Sequence, residues 1–165
     1  MGNTNTRPTT VRPRTTKLIE TMLAQRKHML VLFWELTKLR TAQAQEAITP
    51  ADLLEEFLEV LVDYIAAGHF GLYARIAEGT ERRKPVVETA REIYPDIAST
   101  TDMAVAFSEK YEKLAAENGD AAVAGDDFAR DLSLLGESIT ARIEFEDRLI
   151  LAMLGEEFPL PSLRA

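Results

Sequence analysis

The chain of 165 residues has no cysteine, only two histidines and one tryptophan. Without thiols it has no disulfide framework, no thiolate metal site and no cysteine nucleophile, a composition that suits a reducing compartment. No run of about 18 apolar residues occurs, and the N-terminal stretch lacks the apolar core of a signal peptide. The expected location is the cytoplasm, away from membranes. Two histidines cannot build a hemerythrin-like centre. A carboxylate-bridged di-metal bundle needs Glu-x-x-His twice, and the residues three before His28 and His69 are Gln25 and Ala66. No phosphate-cradling glycine loop of the P-loop or dinucleotide type is found. Neither metal nor cofactor is expected. Missing, too, is any alternation of apolar and polar residues that would mark a half-buried strand.

What is present is a strongly uneven charge. Residues 1–40 carry eight Lys/Arg against two acids, net +6, while residues 41–165 carry eleven against twenty-five, net −14. So acidic a body repels phosphates and argues against direct nucleic-acid binding; its macromolecular partner should be basic. The length suits one domain that buries roughly 70% of the unfolded chain's surface.

Helical punctuation is clear. Residues 1–14 are mostly Thr, Pro, Arg and Asn and read as a flexible arm. Thr15 or Thr16 can cap a first helix reaching about Gln43, with an apolar line of Ile19, Met22, Leu23, Leu30, Phe33 and Leu36. "ITPAD" starts a second, with Thr49 as cap and Pro50 in the first turn; it runs to Ala66, or on through Gly68 to Ala77. A short helix over 86–94 is expected to stop at Pro95. Another follows from Asp96 to Glu117, ended by Asn118-Gly119. A last helix spans Asp126 or Asp127 to Leu154. The fold class is all-α: an antiparallel up-and-down bundle of four long helices plus one or two short ones. The bundle domain covers residues 15–155, followed by a tail over 156–165.

Two sets of charged residues stand out on these helices. Asp52, Glu56, Glu59 and Asp63 fall within a sector of about 60° of the second helix, opposite Leu54, Phe57, Leu58, Leu61 and Ile65. Their spacing makes each neighbouring pair repel by roughly 0.2–0.5 kcal/mol, and no Lys or Arg lies between Arg40 and Arg75. Such a stripe is either a solvated face or a docking surface for a basic helix. Conversely, Arg26 and Glu146 each sit in the middle of an apolar line, where lone charges are costly and opposite charges pair. Arg142, one turn before Glu146, can join them, and His69 is a further candidate member. Gly68 and Gly71 leave a bare strip on which a neighbouring helix can close. An exposed helical histidine also leaves open a phosphotransfer-type signalling bundle, and a purely oligomerising bundle is a third reading.

Four segments in order add a resemblance: "KLIETMLAQRKHMLV" (17–31), "LVDYIAAGHFGLYARI" (61–76), "IYPDI" (93–97) and "ITARIEFEDRLI" (139–150). Together they resemble the Rsd/AlgQ family of bacterial regulators that bind the primary sigma factor of RNA polymerase, over residues 17–154. The resemblance implies a helical bundle without catalysis, an anti-sigma factor. Its partner would be the sigma factor's C-terminal, promoter-reading helix-turn-helix domain, sequestered from polymerase. By motif the family's sigma-contacting aspartate falls on Asp63; Asp52, Glu56 and Glu59 join it on stripe geometry alone. The protein itself would be a monomer or weak dimer.

Overall fold

A computed structural model describes residues 13–39, 48–77, 79 and 81–154, and among these every regular element is helical. Helix α1 spans Pro13–Lys38 and α2 Pro50–Gly68. A π-helical turn, His69–Tyr73, joins α2 to the single turn α3, Ala74–Ala77. Then come α4, Lys84–Asn118, a 3₁₀ turn at Gly119–Val123, and α5, Asp126–Leu154.

Local chemistry accounts for most boundaries. Thr49 is extended and its hydroxyl accepts from Asp52 N–H, with Pro50 following, so α2 starts where the capping pattern places it. Gly119, at φ 56°, ends α4 in a backbone region that other residues enter with difficulty. The first helix differs from expectation. It is already helical at Pro13, the first described residue, and Thr15 lies buried inside it rather than capping it. It ends at Lys38, with Leu39 in a turn, and residues 40–43 of the expected extension lie outside the described residues, as does the 156–165 tail.

The expected break at Pro95 is absent: α4 runs through it for 35 residues. Pro95 removes one intrahelical hydrogen bond, but its ring faces solvent while Ile93 and Ile97 on either side are buried. Tertiary burial of both flanking turns outweighs the local penalty. The short helix expected over 86–94 is therefore the first third of α4.

One core fills the space between the four long helices. Ile19, Met22, Met29, Leu32 and Leu36 come from α1, and Leu54, Phe57, Leu61 and Tyr64 from α2. Ile93, Phe107 and Tyr111 of α4 meet Phe128, Leu135, Ile139 and Ile150 of α5. On α1 the buried line includes Met29 and Leu32, while Leu23, Leu30 and Phe33 pack at its edge. Helices α1 and α5 pack tightly at Gly136, where an added Cβ would stand 2.7 Å from Phe33 Cζ. No described helix is long and apolar enough to cross a membrane.

Candidate functional site

The helices bring two polar constructions into relief, one sealed and one open. The sealed one centres on Glu146, which has no exposed surface. Its Oε2 accepts from Arg26 Nη2 at 3.1 Å and from the Tyr64 hydroxyl, and its Oε1 accepts from Arg142 Nε at 2.8 Å. Arg26 Nη1 also donates to Asp147 Oδ1 at 2.7 Å. The Arg142 Nη1 donates to Thr101 Oγ1 at 2.8 Å and to Thr100 Oγ1 at 3.1 Å. Both threonine hydroxyls donate to the Ile97 carbonyl, which leaves their lone pairs for the guanidinium. Two arginines thus balance two carboxylates, and all four long helices are tied through one set of charge-assisted bonds.

Burial works against the Arg26 charge, but Tyr64, Glu146 and Asp147 outweigh it and hold the guanidinium above its ordinary pKa. Burial first, and then the Glu146 carboxylate, push the Tyr64 hydroxyl well above the usual phenol range. Tyr73 moves the same way for the same reasons. Gly68 is the place where α2 passes this cluster: a Cβ there would meet Arg142 Nη2 at 3.2 Å and Glu146 Oε1 at 3.4 Å. Gly71 is different, because a Cβ would touch only Leu18 at an ordinary 3.8 Å.

His69 does not join the cluster. It is exposed, and its ring meets Phe70 edge-on at 5.0 Å. The physical reason is helical phase: Gly68 already faces α5, so His69 turns about 100° away, and Tyr64, one turn earlier, takes the inward position. Tyr64, Asp147, Thr100 and Thr101 are the partners that sequence reasoning missed. The polar tip of Tyr64 in the apolar line of α2 is the signal that could have found it.

The open construction is the outward face of α2. Asp52, Glu59 and Asp63 are exposed and Glu56 is half-exposed. Among the described residues the stripe has one ion-pair partner, His28 of α1, whose Nε2 lies 3.8 Å from Glu56 Oε1. Asp52, Glu59 and Asp63 have no ion-pair partner among the described residues. Beside it lie Val62, half exposed, and Phe70, 72% exposed. Phe70 stands two turns beyond Asp63, a spacing that sequence inspection can find once the helix is known to continue past Gly68. No group of three or more His, Cys, Asp or Glu suited to a metal ion occurs among the described residues.

Residues 3–154 match the family described as Regulator of RNA polymerase sigma(70) subunit, Rsd/AlgQ. The chain belongs to the Rsd/AlgQ family. Similar proteins include the Regulator of sigma D of Shigella boydii serotype 4 (strain Sb227) and that of Escherichia coli (strain K12 / DH10B). Each is 30% identical over 138 residues, covering 84% of this chain and 84% of the relative. The Rsd/AlgQ match begins at residue 3, well before the segments in which the resemblance was visible. This is a family of regulators and not of enzymes.

Proposed function

We propose that this protein is an anti-sigma factor. It binds the basic C-terminal helix-turn-helix domain of the primary sigma factor through the α2 stripe and withholds that domain from RNA polymerase in the cytoplasm. The observation that carries this reading is the outward row of Asp52, Glu59 and Asp63, unpaired among the described residues and held on a rigid helix. Glu56 stands in the same row, with His28 Nε2 3.8 Å from its Oε1. Membership of the Rsd/AlgQ family and the names of its similar proteins support a sigma factor as the partner. Occlusion requires no chemistry, only a surface that competes with DNA phosphates and polymerase for the same basic side chains.

The scaffold reads as an antiparallel up-and-down bundle over residues 15–155, monomeric or weakly dimeric, with an arm before it and a tail after. Contacts in reverse chain order support the arrangement. Lys110 and Tyr111 of α4 meet Asp131 of α5, while Thr100 meets Arg142 and Glu92 meets Arg148. The buried cluster anchors Tyr64 and thereby sets the rotation of α2 that turns its neighbour Asp63 outward.

Titration calorimetry of the sigma factor's C-terminal domain against Asp63→Lys tests the reading, with Glu117→Lys, an exposed residue at the end of α4, as control. The expected result is a loss of affinity of about tenfold or more for Asp63→Lys and little change for Glu117→Lys. Equal affinities would show that the stripe is only a solvated face.

A further inference from the structure

Next to the acidic stripe, α2 and α4 leave an apolar cavity of about 250 Å³, with Val62, Ala66 and Phe70 on one side and Ala104, Val105 and Ser108 on the other. Val62 and Val105 are 50% and 44% exposed, so both helices offer unpartnered aliphatic surface at its mouth. Ser108, which is buried, completes the α4 wall. Acids rim both sides. Asp63 adjoins Val62, and on α4 Asp102 and Glu109 stand one turn before and one turn after Val105, both exposed. None of these three carboxylates has an ion-pair partner among the described residues.

We propose that this groove receives one leucine-sized aliphatic side chain from a basic amphipathic helix of the partner. Carboxylates of α4, Asp102 and Glu109, then engage Lys or Arg residues one turn to either side of it. The proposal deepens the anti-sigma reading and rests on it: α2 would supply only half of the docking surface, and α4 the other half. The chemistry selects this occupant over others. An acidic helix is repelled by both rims, and a wholly apolar one would leave three carboxylates desolvated without partners. A basic helix with an apolar centre satisfies walls and rims together, in the helix-in-groove mode of peptide recognition.

The test uses the full chain and the sigma factor's C-terminal domain. Two α4 variants, Val105→Ser and the double Asp102→Lys/Glu109→Lys, are titrated beside Asp63→Lys, with circular-dichroism melting to establish that each is folded. Because the chain has no cysteine, Val105→Cys also accepts a single environment-sensitive fluorophore, with Leu134→Cys on α5 as control. Expected are an affinity loss of about fivefold for Val105→Ser and about tenfold or more for the double variant. The fluorophore at 105, and not at 134, should shift to the blue on binding. If Asp63→Lys weakens binding while both α4 variants bind normally and the fluorophore is unmoved, the groove proposal is overturned and the anti-sigma reading stands. Should Asp63→Lys also bind normally, both fall. A fluorophore response to protein concentration alone, with dimers in sedimentation, would assign the groove to a second copy of this chain and overturn the proposal.

Discussion

Glu146 joins Arg26, Arg142 and Tyr64, and its removal takes a buried carboxylate from two guanidiniums at once, leaving Arg26 only Asp147. Arg26 and Arg142 are both buried, and Arg26 Nε and Arg142 Nη2 already lack partners, so the cluster has no spare acceptors. Glu146→Leu is expected to cost about 3–5 kcal/mol, the usual penalty for stranding a buried charge. Replacing the three charges together, as Arg26→Met/Arg142→Met/Glu146→Leu, should recover part of that loss, because no buried guanidinium is then stranded, although the Tyr64 hydroxyl and Asp147 lose their partners. Urea denaturation of the two variants and the parent decides the matter. A triple variant less stable than Glu146→Leu would mean that the cluster contributes net stability beyond charge balance. The positions of Arg26 and Glu146 in apolar lines, and of Arg142 one turn before Glu146, made the three legible in the sequence. The role given to His69 was not correct, because one residue of helical phase separates facing α5 from facing water.

At the scale of elements, α4 and the tyrosines make separable claims. Pro95 is exposed and interrupts the hydrogen bonding of an otherwise continuous helix. Pro95→Ala should restore one bond and relieve the ring's clash with the preceding turn, minus a smaller loss from a more flexible unfolded chain. A net gain of about 1–2 kcal/mol, read as a higher melting temperature, is expected; a lower one would show that the proline is built into the packing. Tyr64, Tyr73 and Tyr111 are all buried, and all three phenols are pushed above their ordinary pKa, burial being the largest cause in each. A group with a raised native pKa contributes stability that is complete below its unfolded value, near 10 for tyrosine, and is lost as pH rises. Denaturant midpoints should therefore fall steeply above about pH 10, each tyrosine withdrawing up to about 1.4 kcal/mol per pH unit. Absorbance of phenolate near 295 nm from these three residues, followed in a Tyr94→Phe background that removes the exposed phenol, should appear together with unfolding and not before it. Phenolate signal from these residues in a still-folded protein would contradict their burial.

For the whole molecule, the division of charge governs encounter with a partner. The acidic body and its unpaired stripe should steer a basic domain at low salt and lose that advantage as ions screen it, with a Debye length of about 10 Å at 0.1 M. The association rate for the sigma factor's C-terminal domain is expected to fall by about tenfold between 0.05 and 0.5 M salt, measured by stopped-flow fluorescence, with a weaker response for Asp63→Lys. A rate indifferent to salt would remove electrostatics from the recognition.

The all-helical class, the capped start of α2, the glycine stop of α4 and the outward placement of the acidic row were determined by the sequence alone. Each follows from a short-range rule: side-chain capping, positive φ at glycine, or the 3.6-residue period that opposes Asp63 to Leu61 and Ile65. The continuity of α4 through Pro95, the π turn after Gly68, the choice of Tyr64 over His69, and the pairing of His28 with Glu56 were decided only by tertiary structure. In each of these, packing between helices far apart in the chain outweighs a local preference worth a kilocalorie or so. Which of two adjacent residues faces a neighbouring helix depends on where that neighbour stands, and no local pattern contains that information.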